Sequence, residues 1–237
     1  MPFLSLRQRH RQPEIMDQPG LEPGRHLHAL QGLARINWWS GSARILWPPI
    51  HALARERAGG PLRILDVASG GGDVPIRLWR RARRHGLALE ILGCDVSPAA
   101  VEYARRQAER CGAAVQFCLR DVLQSPLPDG YDVAMCSLFL HHLDEAEAVE
   151  LLRRMADAAR RLVLANDLAR SRLGYGLAYL GTRLLSRSDV VHTDGPLSVA
   201  GAFTPEEAAE LARRGGLSGA RVQRRWPCRY LLSWRRP

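Results

Sequence analysis

The stretch from Arg63 to Pro75, reading RILDVASGGGDVP, limits what this chain can fold into more than any other. Ile64, Leu65 and Val67 form a short apolar, partly β-branched run of the kind found in strands buried on both faces. Ala68 to Gly72 are all small, so the backbone can turn tightly and let a ligand approach without side chains in the way. Asp73 and Pro75 suit the first turn of a helix, the acid as a cap and the proline through its preset φ. Strand, glycine turn and helix in that order make the ligand-binding crossover of a doubly wound α/β domain.

The polar residues around the turn narrow the ligand. A dinucleotide site places a third glycine where Pro75 stands, so that helix N–H groups can hold a pyrophosphate. Proline has no N–H, and Asp66 and Asp73 flank the loop with negative charge. Two carboxylates repel a diphosphate and attract a cation. S-adenosylmethionine carries a sulfonium and an α-ammonium and no phosphate, so it fits. About 20 residues beyond the loop, Leu89 to Asp95 read as a second strand ending in an acid, placed to accept both ribose hydroxyls.

From these residues the chain resembles the class I S-adenosylmethionine-dependent methyltransferases, strongly over Leu62 to Leu164 and loosely beyond. Asp121-Val122 follows the expected third strand, where the family sets an acid against the adenine amino group. Tyr131 to Leu143, reading YDVAMCSLFLHHL, is similar to the family's fourth strand and the loop leaving it. Ala68 departs from the pattern, standing where the family usually has its first loop glycine, and implies a slightly tighter turn. The resemblance implies a Rossmann-like, seven-stranded, mostly parallel sheet ending in an antiparallel hairpin. It implies cofactor contacts at Asp66, Ala68, Ser69, Gly70, Gly72, Asp73, Asp95, Val96, Asp121, Val122, Ser137 and His142. The Leu-His-His-Leu wording is similar to that of quinone-biosynthesis methyltransferases, in which it mainly shapes the cofactor pocket.

Residues 1–60 are expected to be an N-terminal helical extension or cap, and 61–237 the catalytic-type domain, with a lid inserted around 171–200. In the extension, the spacing of Leu27, Leu30, Leu33 and Ala34 predicts an amphipathic helix. Asn37 to Ser42 should break it, and Ser42 should cap a second run before Pro48-Pro49. Trp38, Trp39 and Trp47 either pin this extension to the core or roof an apolar substrate. Alternating strands and helices from Leu62 onward predict a parallel sheet. Arg161 to Ala165 is the fifth strand, Leu173 to Leu180 a helix, and Thr204-Pro205-Glu206-Glu207 a capping box.

The net charge of +10 invites a nucleic-acid reading, but the chain has no lysine, and all 34 basic side chains are arginine. With its many Ala, Gly and Pro residues, that pattern reads as coding bias and a solvated basic surface. Cys136-Ser137-Leu138-Phe139 stands where base-amine methyltransferases usually have an Asn/Asp-Pro-Pro-aromatic turn, which argues against nucleic-acid bases as acceptors. The five cysteines lack Cys-x-x-Cys spacing and read as free thiols in a reducing, cytoplasmic setting. No apolar run is long enough to span a bilayer, and the first residues through Arg11 read as a frayed terminus.

Methyl transfer from a sulfonium is an in-line displacement, so chemistry needs alignment first and a proton acceptor second. His192, placed in a loop beyond the lid helix, is the candidate base. Asp167, with Asn166, should face the same crevice and position the acceptor. No metal site is expected, because His141 and His142 are adjacent and no second ligand cluster has workable spacing. The apolar flanks point to a phenolic or lipid-like small molecule, methylated on oxygen or an aromatic carbon by a monomer or homodimer. An RNA methyltransferase using the arginine surface and a non-catalytic S-adenosylmethionine-binding protein are the alternatives.

Overall fold

The computed structural model describes residues 6–18, 20–56 and 59–237. Two helices come first, α1 (Pro23–Ser40) and α2 (Ser42–Arg55). The alternating region follows: β1 (Leu62–Val67), α3 (Asp73–Arg84), β2 (Leu89–Asp95), α4 (Pro98–Arg110), β3 (Val115–Leu119), β4 (Tyr131–Ser137), α5 (Glu145–Ala158) and β5 (Ala159–Leu168). Helices α6 (Arg172–Leu185), α7 (Asp189–Gly201) and α8 (Pro205–Arg214) precede β6 (Arg221–Arg225) and β7 (Arg229–Arg235). The strands form one sheet in the order β3-β2-β1-β4-β5-β7-β6. It is parallel from β3 to β5, and β7 runs antiparallel to both neighbours.

Alternation along the central strands feeds two separate cores. Leu65, Val67, Ala134, Cys136, Val163 and Ala165 face α5 and α8. Ile64, Val133, Met135, Leu162 and Leu164 face the other way, toward α2, α3 and α4. Asp66 falls on the α3 side of that alternation, at the carboxyl end of the strand flanked by β2 and β4. The order reverses beside β1, because β2 lies on one flank and β4 on the other, which opens a crevice at the strands' carboxyl ends.

Several elements differ from the sequence reading. Helix α1 continues through Trp38-Trp39 and stops at Gly41, whose φ of 74° ends one helix and begins the next. Helix α2 runs straight through Pro48-Pro49. Two interior prolines cost about 3 kcal/mol each. Ile45, Leu46, Trp47, Ile50 and Leu53 are all buried in the core, at about 1.5–3 kcal/mol each, so packing wins. Ser42 starts the helix without capping it and instead accepts a hydrogen bond from Arg229. At the domain's own helix α3, Gly72 occupies the N-cap position and Asp73 is the first helical residue.

His192 lies within helix α7 and not in a loop, although Asp194-Gly195-Pro196 reads as a turn. A Cβ on Gly195 would sit 2.4 Å from Thr182 Cγ2, so glycine here permits close packing of α7 on α6. Strand β5 is longer than its apolar run and includes Asn166 and Asp167. The N-terminal arm is held firmly over much of the expected frayed terminus. Arg9 donates to the carbonyls of Gly201, His141 and Leu143, and Arg11 to that of His142. Residues 1–5 of that expectation lie outside the described residues. No helix among the described residues is long and apolar enough to cross a membrane.

Candidate active site

The glycine turn is held in an unusual backbone state. Ala68 (φ 54°), Gly70 (φ 52°) and Gly72 (φ 75°) all occupy the left-handed region. For alanine this costs on the order of 1–2 kcal/mol, the local strain implied by a side chain where the resemblance puts glycine. Asp95, at the end of β2, latches the turn: its Oδ2 accepts from Gly70 N at 2.7 Å and its Oδ1 from Ser97 N at 2.9 Å. Val96, next to it, is 64% exposed and offers a bare apolar platform beside the acid.

Unpaired oxygens surround this turn. Asp66 Oδ1, Ser69 Oγ, Asp73 Oδ2 and Asn37 Oδ1 are buried with no hydrogen-bond partner among the described residues. Burial, and then the neighbouring charges of Asp73 and Asp95, push Asp66 well above the usual carboxylate range. Burial also raises Asp73 to about 6, against the opposing pull of the Asn37 amide and Arg77. Burial raises Asp95 as well, partly offset by its two backbone N–H donors. Neighbouring carboxylates with unpaired buried oxygens, as at Asp66 and Asp73, are costly unless a cation joins them. The turn is therefore shaped and charged for a ligand bearing an ammonium or sulfonium, and S-adenosylmethionine fits it.

The other residues expected to contact the cofactor lie at the same end of the sheet. Asp121 follows β3 and accepts from Leu123 N and Gln124 N through Oδ1. Val122 beside it is buried in the α5-side core. Ser137 ends β4, and its Oγ accepts from the Asn166 amide at 2.9 Å. Leu138 then adopts φ 60° and donates its N–H to the Asn166 carbonyl, turning the chain sharply into the histidine pair.

His141 and His142 occupy a 3-10 turn, Leu140–His142. His141 Nδ1 lies 2.7 Å from Asp167 Oδ1. Asp167 is buried and engaged on both oxygens: Oδ1 also accepts from Leu168 N, and Oδ2 from His141 N. Burial pushes this carboxyl up, but His141 outweighs it and the net displacement is downward. Asp167 thus sits behind His141 and does not face the crevice directly. His142 Nδ1 lies 2.7 Å from Asp17 Oδ2. Burial alone would lower His142; the bond to Asp17 and the charge of Glu14 prevail and hold it at about 9. His192 stands apart in local bonding, its Nε2 2.8 Å from the Ser186 carbonyl at the α6–α7 connection.

Sequence reasoning missed Glu14 and Asp17. Both come from the N-terminal arm, where Asp194 of α7 accepts from Ile15 N and Met16 N and fixes the 3-10 turn Ile15–Asp17. The expectation of no metal site rested on the adjacency of His141 and His142 and on the lack of a second ligand cluster with workable spacing. The fold supplies Glu14 there, with one ligand atom each from Glu14, His141 and His142 within 4.8 Å of one another. An acid more than a hundred residues away in sequence leaves no spacing signal.

A family model described as "Methyltransferase domain" matches residues 64–161. Over those residues the chain is similar to a methyltransferase domain. Demethylmenaquinone methyltransferase of Thermus thermophilus is 36% identical over 129 residues, 54% of this chain and 56% of that protein. Ubiquinone biosynthesis O-methyltransferase of Ruegeria pomeroyi is 26% identical over 170 residues, 70% of this chain and 63% of that one. The chain spans less than two thirds of the length of either of these curated relatives. Human N-acetylserotonin methyltransferase superposes with a TM-score of 0.65 at 16% identity, covering 91% of this chain and 56% of that one. The methyltransferase SibL superposes at 0.63 and 20% identity, covering 98% and 65%. These two likenesses concern the fold.

Proposed function

We propose that the crevice binds S-adenosylmethionine and that the chain transfers its methyl group to an oxygen or aromatic carbon of a phenolic or quinone-type small molecule. The observation that carries this reading is the set of unpaired carboxylate oxygens of Asp66 and Asp73 around the left-handed turn. The bound cofactor would supply an electrophilic methyl on a cationic sulfur. Asp66 and Asp73 would meet its positive groups, Asp95 its ribose hydroxyls, and Asp121 and Val96 its base. Ala68, Ser69, Gly70, Gly72 and Val122 would contribute backbone and shape, with Ser137 and His142 closing the far wall. Alignment of acceptor and methyl is worth effective molarities on the order of 10⁵–10⁸ M, so these residues act chiefly by positioning.

The quinone chemistry in the names of the curated relatives supports the acceptor class, as does apolar surface on α1 and α6. Trp38, Trp39, Leu173, Tyr179 and Leu180 are exposed, whereas Trp47 is buried in the core. Many surface arginines are ion-paired with acids, including Arg25, Arg106, Arg153 and Arg213, which weakens the case for a phosphate-binding face. Incubation with labelled cofactor and a panel of phenols, quinols and bulk RNA, read by mass, tests the proposal. Label on a phenol or quinol is the expected result; label on RNA alone would replace it.

Cofactor affinity should depend on pH. An ammonium binds the ionised form of Asp73, so binding releases a proton whenever the acid is protonated beforehand. Calorimetric affinity for S-adenosylhomocysteine should drop as pH falls through the Asp73 midpoint of about 6. Below it, affinity should fall by up to about tenfold per pH unit. A flat profile from pH 5 to 7 would remove Asp73 from the ligand contact. His192 is the proposed proton acceptor and Asp167 the residue that orients His141. His192→Gln should shift the acid limb of the pH–rate profile, and an unaltered profile would clear His192 of the role.

A further inference from the structure

We propose that Glu14, His141 and His142 form a binding site for one divalent transition-metal ion, with Asp167 and Asp17 as its outer partners. Both histidines present the same arrangement. Each ring places Nδ1 2.7 Å from a carboxylate oxygen, Asp167 for His141 and Asp17 for His142. That bond makes Nδ1 a protonated nitrogen, so in the neutral imidazole the lone pair sits on Nε2. Both Nε2 atoms then turn toward one carboxylate: His141 Nε2 is 3.6 Å from Glu14 Oε1 and His142 Nε2 is 4.0 Å from Oε2. The rings lie 4.3 Å apart between centroids, so the two neighbours in sequence share one side of the turn.

These separations are long for hydrogen bonds and close to those of ligands around one ion. Bonds of about 2.1 Å in a tetrahedral site put ligand atoms about 3.4 Å apart. A carboxylate behind each ligating imidazole is the usual outer support of a metal site, fixing tautomer and ring orientation. Two imidazoles and one carboxylate favour zinc, iron, cobalt or manganese over calcium. Glu14 is also held in place: its Oε1 accepts from Ser198 Oγ at 2.6 Å, and Asp194 anchors the next two residues of the arm. A proton on a histidine can satisfy part of this convergence in the metal-free chain; a cation satisfies all three donors together. His142, with a side chain 22% exposed, leaves a way in.

The test needs neither methyl donor nor acceptor, so it stands or falls separately from the proposed methyl transfer. The untagged full-length chain is stripped with chelator and titrated with zinc(II) by calorimetry and with cobalt(II) by absorption and paramagnetic NMR. The expected result is one tight equivalent, with intense visible cobalt bands. Two strongly shifted exchangeable proton signals should also appear, from the Nδ1–H groups shielded by Asp167 and Asp17. Glu14→Gln and His142→Gln should each weaken zinc binding by about a hundredfold or more, and the outer variant Asp17→Asn by about 10–100-fold. Circular dichroism of each variant reports folding. If a variant fails to fold, the two shifted signals in the wild-type cobalt form decide the matter alone. Absence of a tight equivalent, equal affinity in Glu14→Gln and wild type, or fewer than two such signals would overturn the proposal.

Discussion

Replacing Asp95 with alanine should lower affinity for S-adenosylhomocysteine by about a hundredfold or more. Two ribose hydroxyls donating to a carboxylate contribute about 1.5 kcal/mol each at the low end, and about 3 kcal/mol corresponds to a factor on the order of 10² in Kd. The variant also unlatches the turn, because Gly70 N and Ser97 N lose their shared acceptor. Asp95→Asn separates the two effects: the amide oxygen can still take one backbone N–H but presents an NH₂ where an acceptor is needed. An intermediate loss is expected there. Unchanged calorimetric binding in Asp95→Ala would contradict the assignment of this crevice as the cofactor site.

The second large effect concerns the glycines, which should fail in opposite ways. Both Gly70 and Gly72 are left-handed, so alanine at either costs on the order of 1–2 kcal/mol in backbone strain. Their surroundings differ. A Cβ at Gly72 would lie 2.6 Å from Phe117 Cζ and 2.9 Å from Ala104 Cβ, both inside the core, whereas at Gly70 it meets nothing within 4 Å. Overpacking adds about 1–3 kcal/mol, so Gly72→Ala should lose about 2–5 kcal/mol of stability in urea unfolding. Gly70→Ala should lose only the strain, yet bind S-adenosylhomocysteine at least tenfold more weakly, because the open space beside Gly70 is where the ligand would lie. Equal stability losses would refute the packing argument, and undiminished binding by Gly70→Ala would move the ligand elsewhere.

The strand ends on which the proposed cofactor site is built were legible in the residues because their logic is local. A buried apolar run, small residues and an acid after each strand describe strand ends one at a time, and parallel pairing brings those ends to one edge. Pro75 in place of glycine, with Asp66 and Asp73 nearby, separates a cationic ligand from a diphosphate without knowledge of the fold. Prolines misled the reading of α2, and Asp194-Gly195-Pro196 that of α7, because propensity is a weak local term. The burial of Ile45 to Leu53, and the contact of Gly195 with Thr182, are tertiary and larger. Asp167 was marked for its position after an apolar run, yet only the longer β5 shows that it backs His141.

Sequence by itself therefore determined the strand–turn–helix unit, the sign of charge around it and the acid at the end of β2, all consequences of neighbours along the chain. Tertiary structure alone decided what stands opposite the histidine pair. Glu14 and Asp17 reach it because Asp194 on α7 and the Arg9 bonds to the His141 and Leu143 carbonyls hold the arm across the sheet's end. Contacts between segments so far apart are set by the closing of the whole core, and no spacing along the chain records them.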